Sequence, residues 1–329
     1  MRRLNNFPPI FIFLFSLLSV FILLNSCAKK AEQQSSESEF SGTIKVSGAW
    51  ALYPMMVKWG EEFQKLYPNV RVDISAGGAG KGVSDALAGL VDIGMVSREI
   101  KQEEIDRGGF FVPVVKDAVF PVINAANPAL ARGLAQKGMT RQQFIDLWIA
   151  SKSLTWGEIA GTDVTEKVNV YTRSDACGAA ETWAKYLGKM QEDLQGVGVY
   201  GDPGLAEAVK QDKFGIGFNN LNYAYDMKTG LSVAGLHVIS IDVNENGVID
   251  LAEDLSTKAK AIEAIIAGHY PSPPARDLYL LTRNGFQGLT KSFILWILAE
   301  GQNLVDEVGY IKLAPAQIDE ALKKLGGES

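Results

Sequence analysis

Three stretches of the chain place small residues where a strand pattern gives way to a helix pattern. They cover 47–54 (SGAWALYP), 77–83 (GGAGKGV) and 171–181 (YTRSDACGAAE). The first turn of a helix leaves backbone N–H groups without acceptors and carries partial positive charge. Small residues let an anion approach those N–H groups closely. The pattern therefore predicts three backbone sites for a negatively charged guest.

The third stretch adds side-chain chemistry to the backbone donors. Arg173 offers a planar, permanently charged fork that suits an oxyanion. Cys177 stands at the helix start beside Arg173, a setting that lowers the pKa of a thiol and suits a nucleophile. A nucleophile also needs a base, and none is evident near Cys177. A small residue in a binding loop is therefore the favoured interpretation, and an enzyme that uses Cys177 is the alternative.

A different kind of site is indicated by residues 242–253, DVNENGVIDLAE. This segment fits the calcium loop of an EF-hand, with oxygen ligands at positions 1, 3, 5, 9 and 12, glycine at 6 and a backbone carbonyl at 7. The predicted ligands are Asp242, Asn244, Asn246, Val248, Asp250 and Glu253. Because 236–241 reads as a strand rather than an EF-hand helix, a polar turn without metal is the alternative. We expect no cofactor for function and a structural Ca²⁺ in this loop.

Strand and helix patterns alternate around the three turns. Strands are predicted at 43–47, 70–74, 91–95, 110–124 and 168–171. Helices are predicted at 53–66, 127–136, 140–150, 179–187, 287–300 and 315–325. This order is typical of an α/β fold with a mostly parallel sheet.

The N-terminus carries a targeting signal. Arg2 and Arg3 precede an apolar run over 8–24 that ends in LNSC at Cys27. A positive start and a short apolar run indicate a signal peptide, and the ending resembles the lipobox of bacterial lipoproteins, in which Cys27 would be lipidated. An uncleaved membrane anchor is the alternative. Residues 28–42 are polar and rich in Ser, Glu and Gln, so we expect a flexible tether.

Charge and cysteine content exclude several classes of protein. The formal net charge is −6, and loss of Arg2 and Arg3 with the leader would bring it to −8. A chain this acidic without a basic tract does not suit nucleic acid. With Cys27 lipidated, Cys177 has no partner for an intrachain disulfide.

Several segments resemble the phosphate-binding proteins of ABC transporters. They are 44–98 (with SGAWALYP…SAGGAGKGVSDALAGLVDIGMVSR), 173–183 (RSDACGAAETW), 270–271 (YP) followed by 277–280 (DLYL), and 293–313 (FILWILAEGQNLVDEVGYIKL). The resemblance implies an α/β type II periplasmic-binding-protein fold, with two lobes around a ligand cleft. Lobe 1 would comprise 43–117 plus 281–329 and lobe 2 residues 118–280, with crossing segments near 116–124 and 275–283.

The resemblance also implies a function. The protein would be a solute-binding lipoprotein in the periplasm or at the cell surface, without enzymatic activity, that passes phosphate to the permease subunits of an ABC importer. The implied ligand-binding residues are Ala51, Leu52, Tyr53, Ala79, Gly80, Ser97, Arg98, Arg173, Asp175, Cys177, Gly178 and Ala179.

The chain departs from the family pattern at hydroxyl and carboxylate positions. The family typically has Thr at Leu52, Ser at Ala79, Asp at Ser97, Ser at Cys177 and Thr at Ala179. Each missing hydroxyl would remove roughly 1 kcal/mol of hydrogen bonding to the anion. Another oxyanion or a small organic anion therefore stays open as the ligand, as does a tethered sensor or scavenger that has no permease.

Overall fold

The computed structural model of the protein describes residues 40–326. The predicted leader, Cys27 and the tether up to residue 39 lie outside the described residues, so the lipidation site stays a prediction. Among residues 40–326, no helix combines the length and the apolar character needed to cross a bilayer.

Strands and helices alternate through the N-terminal part, as the periodicity predicted. The strands are β1 Gly42–Gly48, β2 Val70–Ala76 and β3 Ile93–Val96, and the helices are α1 Tyr53–Leu66, α2 Ala79–Leu87 and α3 Gln102–Asp106. In α1, Pro54 occupies the first turn, where its missing N–H costs nothing, and Met56, Trp59 and Phe63 recur on one buried face. β1 pairs in parallel with β2 and β3, which brings the turns after β1 and β2 to the same edge of the sheet.

The remaining elements follow in mixed order. The strands are β4 Gly109–Asn124, β5 Asn169–Arg173, β6 Val197–Val199, β7 Gly215–Asn220, β8 Leu236–Val238 and β9 Ala275–Arg283. The helices are α4 Ala135–Lys137, α5 Arg141–Trp148, α6 Trp156–Ala160, α7 Gly178–Tyr186, α8 Gly201–Gln211, α9 Leu221–Ala224, α10 Lys258–Ile266, α11 Gly288–Leu298, α12 Val305–Val308 and α13 Pro315–Lys324. Short 3₁₀ turns cover Trp50–Leu52, Gln191–Asp193 and Glu300–Leu304.

One curled sheet runs through the molecule in the order β2-β1-β3-β9-β4-β7-β5-β6, with β8 also paired to β4. The long antiparallel pair of β4 and β9 stands at its centre. β3 joins the sheet on β9, and β7 joins it on β4. The two halves of the sheet are therefore connected through these two strands.

Two large hydrophobic cores lie on either side of that connection. The first, which we call lobe 1, packs residues from 44–115 and 278–325 and includes Trp59 and Phe293. The second, lobe 2, packs residues from 118–275 and includes Trp148 and Trp183. The chain passes from one core to the other within β4 and returns within β9. Asp117 of β4 and Arg276 of β9 pair in register at this crossing, and we call the crossing the hinge.

The helical segment predicted near 127–136 is confirmed, with an irregular centre. A π-type turn at Leu130–Leu134 is broken at Arg132 and Gly133, and α4 adds a single turn. Gly133 has a φ of 114°, which a regular helix does not contain.

Candidate anion site between the two lobes

The start of α7 presents free backbone donors. Cys177 is the extended N-cap residue, and its Sγ accepts the N–H of Ala180 at 3.4 Å. Within residues 40–326, the N–H groups of Gly178 and Ala179 have no protein acceptor. They occupy the first turn of a nine-residue helix, where the helix dipole adds positive potential. This turn can therefore bind a negatively charged atom.

Lobe 1 closes directly against that helix start. A Cβ atom on Gly178 would lie 2.2 Å from the carbonyl oxygen of Ser97, which follows β3. The N–H of Gly80, in the first turn of α2, donates to the carbonyl of Ala176 at 3.1 Å. Gly78 caps α2 with a φ of 90°, and a side chain there would meet the same carbonyl. The predicted turns of lobe 1 and lobe 2 thus face each other across a closed cleft.

Some predicted backbone donors are used within the protein. The N–H groups of Leu52 and Tyr53 close the 3₁₀ turn on the carbonyls of Ala49 and Trp50, and that of Gly80 is used by Ala176. Among the predicted donors in the described chain, the N–H groups without a protein acceptor belong to Ala51, Ala79, Gly178 and Ala179.

Arg173 lies at the end of β5 with a fully buried side chain. Its Nε and Nη2 donate to the two carboxylate oxygens of Asp175 at 2.8 and 2.6 Å, as a bidentate fork. Its Nη1 lies 3.1 Å from Asp202 Oδ1. Burial alone would lower the pKa of Arg173, but the charges of Asp202 and Asp175 outweigh it and raise the pKa. The guanidinium is therefore charged and held in place by both carboxylates.

Arg98 is held by carboxylates too, one of them in the opposite lobe. Its Nη1 and Nη2 donate to Glu104 at 3.0 and 2.7 Å. Its Nε lies 3.0 Å from Glu181 in the first turn of α7, and beside it Lys185 of α7 pairs with Glu99 at 2.8 Å. In this closed arrangement Arg98 forms a cross-lobe ion pair instead of presenting an open fork to a ligand.

The thiol of Cys177 does not have the predicted low pKa. Its side chain is buried, and burial raises its pKa to about 12 although the charge of Arg173 pulls it down. Desolvation therefore outweighs the helix start and the neighbouring cation. At neutral pH the sulfur is a protonated thiol that caps α7.

Sequence reasoning missed a group of buried polar residues at the cleft floor. Asn220, at the end of β7, donates to Asp202 Oδ1 at 2.7 Å. Asp117 of the hinge accepts the N–H of Leu221 at 3.1 Å and lies 3.4 Å from Arg276. Asp202 follows strand β6 and opens α8, which makes a fourth strand–turn–helix segment. That repeated pattern was a usable signal, whereas the hinge pair has no local signature.

Aromatic rings close the front of the cleft. Trp50, in the 3₁₀ turn of lobe 1, meets Tyr200 edge to face, with the ring centroids 6.2 Å apart. The indole also packs against Gly201, where a Cβ atom would lie 3.2 Å from the ring. Tyr223 of lobe 2 donates its hydroxyl to the carbonyl of Trp50 at 3.4 Å. These contacts give the cleft a reporter fluorophore at the boundary between the lobes.

The predicted calcium loop forms a tight turn stabilised by its own side chains. Asp242 accepts the N–H groups of Asn246 and Gly247 at 3.1 and 2.9 Å, and Gly247 has a φ of 80°. Glu253 accepts the N–H groups of Val243 and Asn244 at 2.8 and 3.2 Å. Within residues 40–326, no three His, Cys, Asp or Glu side chains are gathered closely enough to hold a metal ion.

Comparison with known proteins agrees with this architecture. The family model described as the PBP superfamily domain matches residues 33–300. A two-lobed α/β protein with facing helix starts in its cleft is a type II periplasmic binding protein in fold. The chain belongs to the PBP superfamily.

Individual relatives extend the likeness over most of the chain. The phosphate-binding protein PstS of Pseudomonas aeruginosa is 25% identical over 318 residues, which cover 88% of each chain. PstS of Bacillus subtilis is 23% identical over 312 residues, which cover 92% of this chain and 94% of its own. These relatives confirm the predicted resemblance to phosphate-binding proteins.

Solved structures confirm the fold. A Clostridium perfringens protein solved with bound phosphate superposes with a TM-score of 0.67 at 23% identity, covering 83% of this chain and 100% of its own. An ABC-type phosphate transport receptor of Vibrio cholerae has a TM-score of 0.59 at 19% identity, covering 82% of this chain and 100% of its own.

Proposed function

We propose that this protein is the extracytoplasmic solute-binding component of an ABC importer and that it binds inorganic phosphate between its lobes. The main supporting observation is the pair of N–H groups of Gly178 and Ala179, which have no protein acceptor and lie in the same loop as the buried Arg173. The turn that contains Ser97 and follows β3, which we call the Ser97 turn, covers this pair. Helix starts and a fixed guanidinium suit a tetrahedral oxyanion. The names of the curated relatives support phosphate as that oxyanion.

The binding cycle follows from the contacts across the cleft. Phosphate would bind to the start of α7 in an open form, and lobe 1 would then close on it through Ser97 and the first turn of α2. Closure excludes water, which strengthens each hydrogen bond to the anion. The closed form would dock on the permease, and the permease would release the anion by separating the lobes. Lipidation of Cys27 would tether the protein to the membrane.

The electrostatics of the cleft would make the choice of anion selective. Arg173 is neutralised by Asp175 and Asp202, so a guest anion depends on backbone dipoles more than on net charge. A buried carboxylate can accept a hydrogen bond from the P–OH group of hydrogen phosphate, and Asp202, whose Oδ1 lies 3.1 Å from Arg173 Nη1, is the carboxylate proposed for this role. Sulfate carries no such proton near neutral pH, so we expect weaker binding of sulfate.

A thermal-shift screen tests this function. Phosphate should raise the melting temperature, whereas sulfate, molybdate, tungstate and small organic acids should raise it less, because a ligand stabilises the state it binds. Arg173→Ala and Arg173→Lys should lose the phosphate shift. Arg132→Ala, which removes an arginine exposed on lobe 2, should keep it. A wild-type protein whose melting temperature ignores phosphate and responds to another anion would reassign the ligand.

A Cys177-dependent enzyme is the less favoured candidate on the same fold. The pKa of the thiol is raised to about 12 by burial, so little thiolate exists at neutral pH. Its sulfur already accepts the N–H of Ala180. A binding role without catalysis accounts for both observations.

We further propose a structural Ca²⁺ site in the loop 242–253. Asp242 and Glu253 are buried residues, with exposed fractions of 2% and 8%. Among the salt bridges of the described residues, neither has a Lys, Arg or His nitrogen within 4.0 Å. Two buried anions without a cation are unfavourable, and oxygen ligands of this type suit Ca²⁺. Small movements of the side chains of Asp250, Asn244 and Asn246 would complete the coordination of Ca²⁺.

A further inference from the structure

Three arginines are buried around the cleft, and they differ in how their charge is compensated. Arg173 faces two carboxylates, Asp175 and Asp202. Arg98 also faces two, Glu104 and Glu181. Arg276, with a side chain 9% exposed, faces one, Asp117, at 3.4 Å. Of the three, Arg276 therefore has the fewest carboxylates within 4.0 Å of its guanidinium nitrogens.

Arg276 makes contacts with both lobes from its position on the hinge strand β9. Its Nε donates to the carbonyl of Ser97 in lobe 1 at 2.9 Å. Its Nη2 donates to the side-chain oxygen of Asn220 in lobe 2. Asn220 in turn donates to Asp202, which pairs with Arg173. The guanidinium of Arg276 thus connects the turn at Ser97, through Asn220, to the Asp202 carboxylate that holds Arg173.

This network depends on the closed arrangement. Ser97 is the residue whose carbonyl lies against Gly178, so the bond from Arg276 holds the lobe 1 turn over the start of α7. If the lobes separate, the Ser97 carbonyl moves with lobe 1 and Asn220 with lobe 2, and Arg276 cannot keep both bonds. The bonds of Arg276 therefore favour the closed form.

The hinge side of this network is completed by ion pairs. The Nη1 of Arg276 faces the Oδ2 of Asp117 at 3.4 Å, and the Nη1 of Arg173 faces the Oδ1 of Asp202 at 3.1 Å, although neither nitrogen donates a hydrogen bond within the described chain.

We propose that Arg276 is a positioning residue for anion binding, and that it keeps the cleft closed over an anion by fixing the turn at Ser97 to the hinge and to Asn220. This inference rests on the proposed binding of phosphate. In this inference Arg276 slows dissociation of the anion. The helix starts and Arg173 determine how fast the anion associates. Removing Arg276 therefore speeds release and leaves capture nearly unchanged.

Stopped-flow measurement of phosphate binding tests this division, with tryptophan fluorescence as the signal; of the six tryptophans, Trp50 at the lobe boundary should respond most to closure. Arg276→Gln should raise the dissociation rate by roughly ten- to hundredfold, as for loss of hydrogen bonds to a charged group, and change the association rate little. Arg276→Lys keeps the charge but loses the fork, so its dissociation rate should lie between those of Arg276→Gln and wild type. Arg283→Gln removes an exposed charge from the same strand and should behave as wild type.

Small-angle scattering gives a second readout that a loss of general stability would not produce. The radius of gyration of wild type should decrease when phosphate is added. At the same fractional saturation, the decrease for Arg276→Gln should be smaller. Unchanged dissociation rates in both Arg276 variants would overturn the inference, and Arg276→Lys decides alone if Arg276→Gln does not fold. A wild-type protein that binds no phosphate would instead overturn the proposed function, so the two failures are distinguishable.

Discussion

Gly178 of lobe 2 and Ser97 of lobe 1 meet so closely that a Cβ atom on Gly178 would lie 2.2 Å from the Ser97 carbonyl oxygen and 2.3 Å from its hydroxyl. The contact joins the helix start with free N–H donors to the turn that covers it. The lobes can therefore close only if residue 178 has no side chain, whereas each lobe could fold with a side chain there.

Gly178→Ala should fold normally and fail to close. The first turn of a helix accepts alanine without strain, but the methyl group would clash with the Ser97 backbone across the cleft. We expect phosphate affinity to fall by at least about tenfold, on the scale of a lost charge-assisted hydrogen bond, with little change in melting temperature without ligand. Isothermal titration calorimetry measures the affinity.

Gly60→Ala is the matched control for that substitution. Gly60 lies within α1, where a Cβ atom would make ordinary contacts of 3.4 Å with Val72 and Ile74. The variant should bind phosphate as wild type does. Equal affinity of Gly178→Ala and wild type would show that the anion binds without this closure.

The hinge carboxylate of Asp117 should make stability depend on pH. Burial raises its pKa from 3.8 to about 6, although Arg276 and two backbone N–H groups oppose the shift. The folded protein therefore binds this proton more tightly than the unfolded chain, so its contribution to the free energy of unfolding rises as pH falls from about 6 to 3.8. The full effect is about 3 kcal/mol.

Urea denaturation of wild type and Asp117→Asn at several pH values measures this contribution. The asparagine cannot titrate, so the stability of wild type relative to Asp117→Asn should increase as the pH is lowered from 7 to 5. Asp163→Asn, which changes an exposed carboxylate, should keep the wild-type profile. Parallel profiles for wild type and Asp117→Asn would contradict the raised pKa.

The thiol of Cys177 should resist modification in the folded protein. Because burial raises its pKa to about 12, both access and thiolate content are low. In a Cys27→Ser background, a disulfide reagent should label Cys177 slowly in buffer and rapidly in urea. Ser174→Cys places an exposed thiol in the same loop and should react rapidly when folded. Comparable rates at the two positions would reopen the interpretation of Cys177 as a nucleophile.

Calcium should stabilise the protein without changing its affinity for phosphate. The loop 242–253 lies in lobe 2 outside the hinge network, so its occupation should raise the melting temperature only. Glu253→Gln removes the buried carboxylate at the last loop position and should abolish the response to CaCl₂. Glu245→Gln changes an exposed residue of the same loop and should keep it. Calorimetric titration with no heat and no thermal shift in wild type would remove the site.

The sequence predicted the parts of the site that depend on local pattern. The turns at 77–83 and 171–181 were recognisable because the start of a helix leaves N–H groups without intrahelical partners, and small residues there let a ligand approach them. Helical and strand periodicities placed β1, α1 and α7 within a few residues, since each reflects a one-sided burial that neighbouring residues share. The resemblance of 173–183 to an anion loop followed from the same local segment.

Long-range pairing was decided by the tertiary structure alone. Arg98 and Glu181 belong to different lobes, and no local pattern shows that each will neutralise the other. Cys177 was expected to have a lowered pKa from its helix start and Arg173, yet burial raises it, because desolvation depends on everything packed around the sulfur.

The α/β class, the small-residue turns and the calcium-loop motif could be predicted from the sequence, because each turn and the motif occupy a dozen or so consecutive residues and the class follows from the order of strand and helix patterns. What only the tertiary structure decided is how those turns meet and which charges remain uncompensated. Ser97 and Arg276 are 179 positions apart in the chain, yet they share a hydrogen bond of 2.9 Å at the hinge. Electrostatic energy depends on distances in space and on burial, and these are properties of the whole packed molecule.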